Sequence, residues 1–437
     1  MKGRIRDTGL VALSVAGALA FPAQLAGAKP PPPPPPSPDF SGVKNVILFI
    51  GDGMGPKEVQ LGKLMGDGAL WTDAAPWTTG SLATASLDGI TDSAAAATAL
   101  ATGVETYNGW LSMKPPLPGT PVQTVLERAE PSKATGLITD ADQSAATPAA
   151  FATHVTDRDL DLEITNQIAA KDIELLLSGG WGYDYLLEDR PGVTYIQNSS
   201  DLAALPGTGA WPSHLYGFMG NNGLVYNLDR EEEGVVGIQP MLPELTSAAL
   251  GVLGQDPDGF FLMVEASVID YGGHSRDAAW IASEVNELDR AVQVAVDYAR
   301  GRSDTLVIVT ADHETGGLTF GSTIKTPVIA RQSATVEFIW GEIKSGRSTI
   351  THAMAAYAGI TDLTRTEERT IASYKEMGIA DVLSAREKVS WGWSGLDEGD
   401  HTLTDVPLWA FGPGQAAFAG RYVNERVGVL LLDAVSH

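Results

Sequence analysis

Asp312 and His313 stand side by side directly after a strongly apolar run, Thr305-Leu-Val-Ile-Val-Thr-Ala311. A carboxylate and an imidazole in such a place are a ready pair of ligands for a divalent metal ion. Neighbouring side chains along a strand point to opposite faces, so the two reach one ion only where the chain has left the pleat. Three further segments share the pattern. Val46-Ile-Leu-Phe-Ile50 leads into Gly51-Asp52-Gly53. Phe260-Phe-Leu-Met-Val264 leads into Glu265 and then Asp270-Tyr-Gly-Gly-His274, and His401 precedes Val406-Pro-Leu-Trp-Ala-Phe411. Apolar runs with a carboxylate or imidazole near their ends are how open α/β sheets assemble their sites.

Asp270 and His274 lie four residues apart. On a helix that spacing puts both on one face, whereas Gly272-Gly273 favours a loop folded around an ion. Either geometry presents an oxygen and a nitrogen to zinc at about 2.0–2.2 Å. Ile90-Thr-Asp-Ser93 precedes the alanine-rich stretch Ala94–Ala101, a strong helix former with Ser93 at its start. One reading makes Ser93 a helix N-cap and nothing more. The other uses the same position: backbone N–H groups and the helix dipole there attract an anion such as phosphate and help stabilise a serine alkoxide. Gly51-Asp-Gly-Met-Gly55 does not match the dinucleotide fingerprint Gly-x-Gly-x-x-Gly, which speaks against a nicotinamide cofactor.

Positioning these side chains requires a sheet. From about Phe40 to His437 the chain alternates apolar strands with amphipathic or alanine-rich helices, which predicts an α/β fold: a central, mostly parallel sheet flanked by helices. Ala134–Thr139 and Ile173–Ser178 are further strand candidates, and Asp277–Arg300 and Ile371–Val389 read as helices. The candidate ligands run from Asp52 to His401, so one site gathers both ends of the chain and argues for one large domain. Residues 321–399 separate His313 from His401 and read as an insertion over the site.

Upstream, Lys2, Arg4 and Arg6 precede the apolar stretch Leu10–Phe21, and Ala26-Gly27-Ala28 supplies small residues for cleavage. This predicts a secretory signal peptide over residues 1–28 and an exported protein, periplasmic or secreted. Pro30 to Pro36 form a stiff polyproline II spacer of about 20 Å within a linker over residues 29–39. No later run is long and apolar enough to span a membrane. With Cys 0 there are no disulfides, so stability must come from core burial and bound metal. The net charge of −25, from 29 Lys and Arg against 54 Asp and Glu, argues against nucleic acid or anionic membrane as partner. It would also repel an anionic substrate unless cations reverse the local field.

Ile50-Gly-Asp-Gly-Met-Gly55, Thr91-Asp-Ser-Ala-Ala-Ala-Ala-Thr98, Ala146-Thr-Pro-Ala-Ala150 with His154-Val-Thr-Asp-Arg158, Val264-Glu-Ala-Ser-Val-Ile-Asp270, Thr310-Ala-Asp-His313 and His401 occur in that order. Over nearly the whole mature chain this resembles the alkaline phosphatase family, in particular its exported bacterial two-zinc members. The resemblance implies a phosphomonoesterase acting on small phosphate esters, with a homodimer as an assembly to consider. It implies Ser93 as the nucleophile that forms a phosphoserine, Asp92 as its support and Arg158 as the phosphate clamp. Asp270, His274 and His401 would hold one zinc; Asp52, Asp312 and His313 would hold the other. Asp52, Thr147 and Glu265 would form a third, magnesium, site. Such chemistry needs positioning and neutralised charge, which two metals and an arginine provide.

Two positions depart from the family pattern. Ala145 stands where bacterial members usually carry a magnesium-site aspartate, with Asp142 nearby as a substitute. Tyr271 stands where a lysine or histidine often tunes phosphate binding. His154, His214, His352 and His437 read as packing or surface residues, and Trp391 and Trp393 as packing of the insertion. Arg158 taken alone would be a surface arginine, and Glu265 a salt-bridge residue. The alternatives are a phosphodiesterase or sulfatase on the same scaffold, or a silent metal- or phosphate-binding protein. Against these stand the absence of Cys/Ser-x-Pro-x-Arg, a serine where diesterases commonly use threonine, and the intact ligand set.

Overall fold

The computed structural model describes residues 38–74, 76–180, 182–188, 190–205, 211–221, 223–392 and 401–437. The expected signal peptide, most of the proline-rich linker and Trp393 lie outside the described residues. Pro38–His437 form one compact unit. Among the described residues, no helix is long and apolar enough to cross a membrane.

Among the described residues, ten strands form the central sheet: β1 (Asn45–Gly51), β2 (Thr78–Ala83), β3 (Ala134–Thr139), β4 (Leu175–Ser178), β5 (Val193–Ile196), β6 (His214–Phe218), β7 (Phe260–Ala266), β8 (Thr305–Ala311), β9 (Val406–Phe411) and β10 (Gly420–Val423). Their spatial order is β10-β2-β9-β8-β1-β7-β3-β4-β6-β5. Only β9 runs against the others. β1, β3, β7 and β8 are buried at every residue, which is why they read as unbroken apolar runs: a parallel strand is covered on both faces. Each Leu, Ile or Val so buried contributes about 1.5–3 kcal/mol relative to exposure. β4 begins two residues later than the sequence suggests. The amide of Glu174 already bonds Thr135 O, outside the regular ladder.

Register sets the level at which the ligands leave the sheet. Gly51 pairs with both Ala266 of β7 and Ala311 of β8, so the three carboxyl ends finish side by side. Thr139 at the end of β3 pairs with Glu265. Because β9 is antiparallel, its start, not its end, lies at this edge. His401 can therefore reach the site although it precedes its apolar run.

The Ala278–Ala299 helix is capped by Asp277, whose Oδ1 accepts from the amides of Ala279 and Trp280, each at 3.1 Å. Ile281, Val285, Leu288, Val292 and Val296 recur at three- and four-residue spacing and are buried, the pattern of a helix packed along one stripe. Within 321–399, helices over Thr326–Ile329, Val336–Lys344, Ile350–Tyr357 and Arg365–Glu387 surround an apolar cluster separate from the main core, including Ile339, Met354, Ile371, Ile379 and Leu383. The helix expected over Ile371–Val389 is broken. Lys375 adopts φ 60°, ψ −127°, and the second half folds back so that a Cβ on Gly378 would lie 2.6 Å from Thr370 O. Val389 instead pairs with Phe320 in a short ladder.

Candidate active site

Two clusters share His313 at the carboxyl edge of the sheet. Asp52, Asp312 and His313 each offer a ligand atom within 4.8 Å of the others, and so do Asp270, His313 and His401. His313 Nε2 lies 3.5 Å from Asp52 Oδ1 and 3.4 Å from Asp312 Oδ2. The rings of His313 and His401 stack with centroids 3.6 Å apart. His274 does not complete the second triple; its Nε2 sits 3.1 Å from Asp270 Oδ2, with the side chain 34% exposed. The sequence grouping of Asp270, His274 and His401 thus meets a tighter arrangement in which His313 stands between the two clusters.

Local structure explains each placement. The chain leaves the pleat after Ala311. There Asp312 Oδ1 accepts from the amides of Gly53 (3.2 Å) and His313 (2.8 Å), which turns Oδ2 to the cluster. Gly53 has φ +70°, and a Cβ there would lie 2.8 Å from Asp270 Cα, so glycine is required on both counts. The loop expected at Asp270–His274 is a helix, Val268–His274. Its glycines serve close packing: a Cβ on Gly272 would meet Ile281 Cγ1 at 2.9 Å, and one on Gly273 would meet Thr315 Cβ at 2.9 Å. His401 is held by a short antiparallel ladder in which Glu314 pairs with Thr402 and Thr315 with His401. Its Nδ1 lies 2.9 Å from Thr91 O, a pure acceptor, so Nδ1 carries the proton and Nε2 keeps its lone pair.

Ser93 opens the Ser93–Thr102 helix, but it is not the cap. Asp92 is: its Oδ1 accepts from the amide of Ala95 at 2.9 Å. The N-cap reading of Ser93 is thereby corrected. The hydroxyl, spared that duty, lies 3.1 Å from His313 Nε2. Asp92 Oδ2 accepts from Gly109 N at 2.9 Å and from Arg158 Nη1 at 3.3 Å, which holds the guanidinium, its side chain 36% exposed, on the residue that precedes Ser93. Burial works against the charge on Arg158, but the carboxylates of Asp92 and Asp52 outweigh it and raise its pKa.

Glu265 accepts from Thr139 Oγ1 at 2.5 Å, and the buried Thr147 is on the Ala146–Ala152 helix. Ala145 is the residue before that helix and supplies no side-chain cap. Asp142 Oδ1 is taken by the amide and hydroxyl of Ser144, at 2.9 and 2.5 Å. Its charge still acts on Glu265.

The electrostatics call for cations. Burial first, then the charges of Asp312, Asp270 and Glu265, push the Asp52 carboxyl well above the usual range. Burial pushes Asp312 up to about 8, helped by Asp270, and Glu265 up to about 7 against the hydrogen bonds of Thr139 and Thr147. Asp270 moves the other way from these three carboxyls: its burial raises it, but the hydrogen bond and charge of His274 overcome that and lower it. Asp52 Oδ1, Asp312 Oδ2 and His401 Nε2 are buried without a hydrogen bond. Lone pairs of this kind, gathered around ionisable oxygens, fit divalent cations.

The remaining histidines lie in other contacts. His154 bonds Ser112 O and Glu127, and His214 sits 3.2 Å from Asp172. His352 is exposed on an insertion helix, and His437 lies 3.6 Å from Asp433. Trp391 donates to Ser384 Oγ at 2.8 Å. Sequence reading missed Thr315, which touches both clusters. Nothing local marks it, since only the pairing with His401 and the packing under Gly273 bring it there.

A mostly parallel sheet that gathers carboxylates and imidazoles able to hold metal ions, a serine hydroxyl and an arginine at its carboxyl edge is the arrangement of an α/β enzyme with candidate metal sites. The family model for alkaline phosphatase matches residues 43–185 and 177–436. The chain is 30% identical to alkaline phosphatase 3 of Bacillus subtilis over 90% of its own length and 89% of the relative's. It is 32% identical to alkaline phosphatase 4 of the same organism, over 88% and 87%. It superimposes on the cold-active alkaline phosphatase of a psychrophilic Shewanella species with a TM-score of 0.79 at 27% identity, covering 90% of this chain and 99% of that one. The chain belongs to the alkaline phosphatase family and is an enzyme of the phosphoric monoester hydrolase class. Metal cofactors go with that family.

Proposed function

We propose that the protein hydrolyses phosphomonoesters through a covalent phosphoserine at Ser93. The observation that carries this reading is the Ser93 hydroxyl 3.1 Å from His313, where the two ligand clusters meet, with Arg158 alongside. Ser93 Oγ gives up its proton and attacks phosphorus; the ester P–O bond breaks and the leaving alcohol takes its electron pair and a proton. Water then attacks the phosphoserine on the opposite side, restoring the serine hydroxyl and releasing inorganic phosphate. Arg158, oriented by Asp92, binds two equatorial oxygens throughout. Asp270, His274 and His401 would hold one zinc and Asp52, Asp312 and His313 a second, the pair supplying positive charge for the in-line oxygens and lowering the pKa of hydroxyl and water.

A panel of chromogenic esters tests the reaction. The monoester should be turned over far faster than the diester or the sulfate ester, with activity rising toward alkaline pH as groups at the site deprotonate. Diester turnover equal to or above the monoester's would overturn the reading.

The third site is proposed as magnesium held by Asp52, Thr147 and Glu265, and weakly. Ala145 removes a carboxylate, magnesium demands near-complete oxygen coordination, and Asp142 is committed to Ser144. Added magnesium should therefore stimulate the protein little, and Ala145→Asp should introduce clear activation and tighter binding. Magnesium retained through dialysis of the unaltered protein would refute the weak site.

The same reading extends to the rest of the chain. Residues 1–28 are proposed as a cleaved signal peptide, 29–39 as a linker, 40–437 as the catalytic domain and 321–399 as an insertion within it. Export places the enzyme in the periplasm or the medium. Light scattering would tell a homodimer from a monomer.

A further inference from the structure

Thr315 is fully buried where four site-bearing segments meet. Its amide donates to Gly53 O at 3.2 Å, its register partner is His401, and its side chain packs under Gly273, whose added Cβ would fall 2.9 Å from Thr315 Cγ2. The turn that carries Asp52, the helix that carries Asp270 and His274, the bend that carries His313 and the short strand that carries His401 therefore all close on this one residue. Its hydroxyl lies 2.5 Å from Asp270 Oδ1 and 3.2 Å from His313 Nδ1. A Cβ on Gly53 would come within 2.9 Å of both Thr315 Oγ1 and Asp270 Oδ1, so the glycine leaves room for this contact.

Hydrogen-bond direction follows from the chemistry of the three groups. An ionised carboxylate only accepts, so the Thr315 proton goes to Asp270. The hydroxyl oxygen is then free to accept, and the neutral imidazole gives it the Nδ1 proton. That fixes the tautomer of His313 with the Nε2 lone pair directed at Ser93, Asp52 and Asp312, the side on which a metal would be held. We infer that Thr315 is a positioning residue whose single hydroxyl couples the two metal-binding clusters, orienting Asp270 in one and His313 in both. The inference rests on the reading that these clusters hold metal ions. It gives the chain a route by which filling one cluster orders the ligands of the other.

The test measures zinc binding by the full-length protein. Apo-protein would be titrated with zinc against a chromogenic chelator for the unaltered chain, Thr315→Val, Thr315→Ala and Thr315→Ser, with zinc counted per chain after dialysis. Loss of an outer partner of this kind weakens metal binding by about 10–100-fold. Thr315→Val, which keeps the shape, and Thr315→Ala, which relieves any crowding should valine not fold, should both lose affinity at both sites. Thr315→Ser keeps the hydroxyl and should bind as the unaltered chain does. Unchanged affinity in the valine and alanine variants would overturn the inference, as would weakening confined to one ion. A serine variant as weak as the valine one would show that keeping the hydroxyl does not keep the affinity, and would overturn the inference. An unaltered chain that took up no zinc would overturn it too, whereas one that bound two zinc ions and hydrolysed no phosphomonoester would refute the proposed reaction and leave these affinities to decide the role of Thr315.

Discussion

Ser93→Ala is expected to lower phosphomonoester turnover by about a thousandfold or more while the zinc content of the protein stays unchanged. The size follows from losing the atom that forms the covalent intermediate; no neighbour replaces it, and what remains is charge stabilisation of direct water attack. Metal content is unaffected because the two clusters draw on Asp52, Asp270, Asp312, His313 and His401, and not on Ser93. The helix should survive as well, since Asp92 caps it. Arg158→Ala should be milder, about 10–100-fold and mainly in KM, the scale of charged hydrogen bonds to a ligand. Steady-state kinetics and metal analysis of the same preparations check both. Most of the activity surviving in Ser93→Ala would mean the phosphoserine is not on the path.

Chelation should inactivate and destabilise the protein together, lowering Tm by on the order of 10 °C. An ion present at a thousand times its dissociation constant stabilises the folded state by about 4 kcal/mol, and the proposed site holds two. The chain has no cysteine, so no disulfide substitutes for ligands drawn from Asp52 through His401. Removing the ions also leaves Asp52, Asp270 and Asp312 buried against one another, a cost that falls on the folded state alone. Differential scanning calorimetry before and after EDTA, then after zinc is restored, measures it. An unchanged Tm would show that the clusters do not carry metal that matters to folding.

How much of this the sequence held depended on whether a position was decided by its neighbours in the chain. The central strands were legible because parallel strands covered on both faces must be apolar at every residue, and their ends must hand over to polar loops. Asp52, Glu265, Asp312 and His313 were found that way. The Ala94–Ala101 helix was legible from propensity, although its cap was read one residue late: Asp92 and Ser93 are both good caps, and only the Ala95 amide shows which one serves. At Val268–His274 local preference pointed the wrong way. Two glycines argue for a loop, but contacts with Ile281 and Thr315 leave space for no side chain there and hold the helix. The bend at Lys375 was hidden for the same reason, being set by packing against Thr370 and Ile371.

By itself, then, the sequence determined which residues could bind metal, because ligand chemistry belongs to the side chain, and which segments were the central strands, because an unbroken apolar run is local; the outer strands β2, β5, β6 and β10, only partly buried, went unread. Only the tertiary structure decided which ligands share a cluster. His401 joins because β9 runs antiparallel and begins at the edge where β1, β7 and β8 end. His313 stands in both clusters, and Thr315 spans them, because the Glu314–Thr315 and His401–Thr402 ladder brings together residues that the chain separates by the whole insertion. Strand direction and register are properties of pairing between distant segments, so a single chain read in order does not carry them.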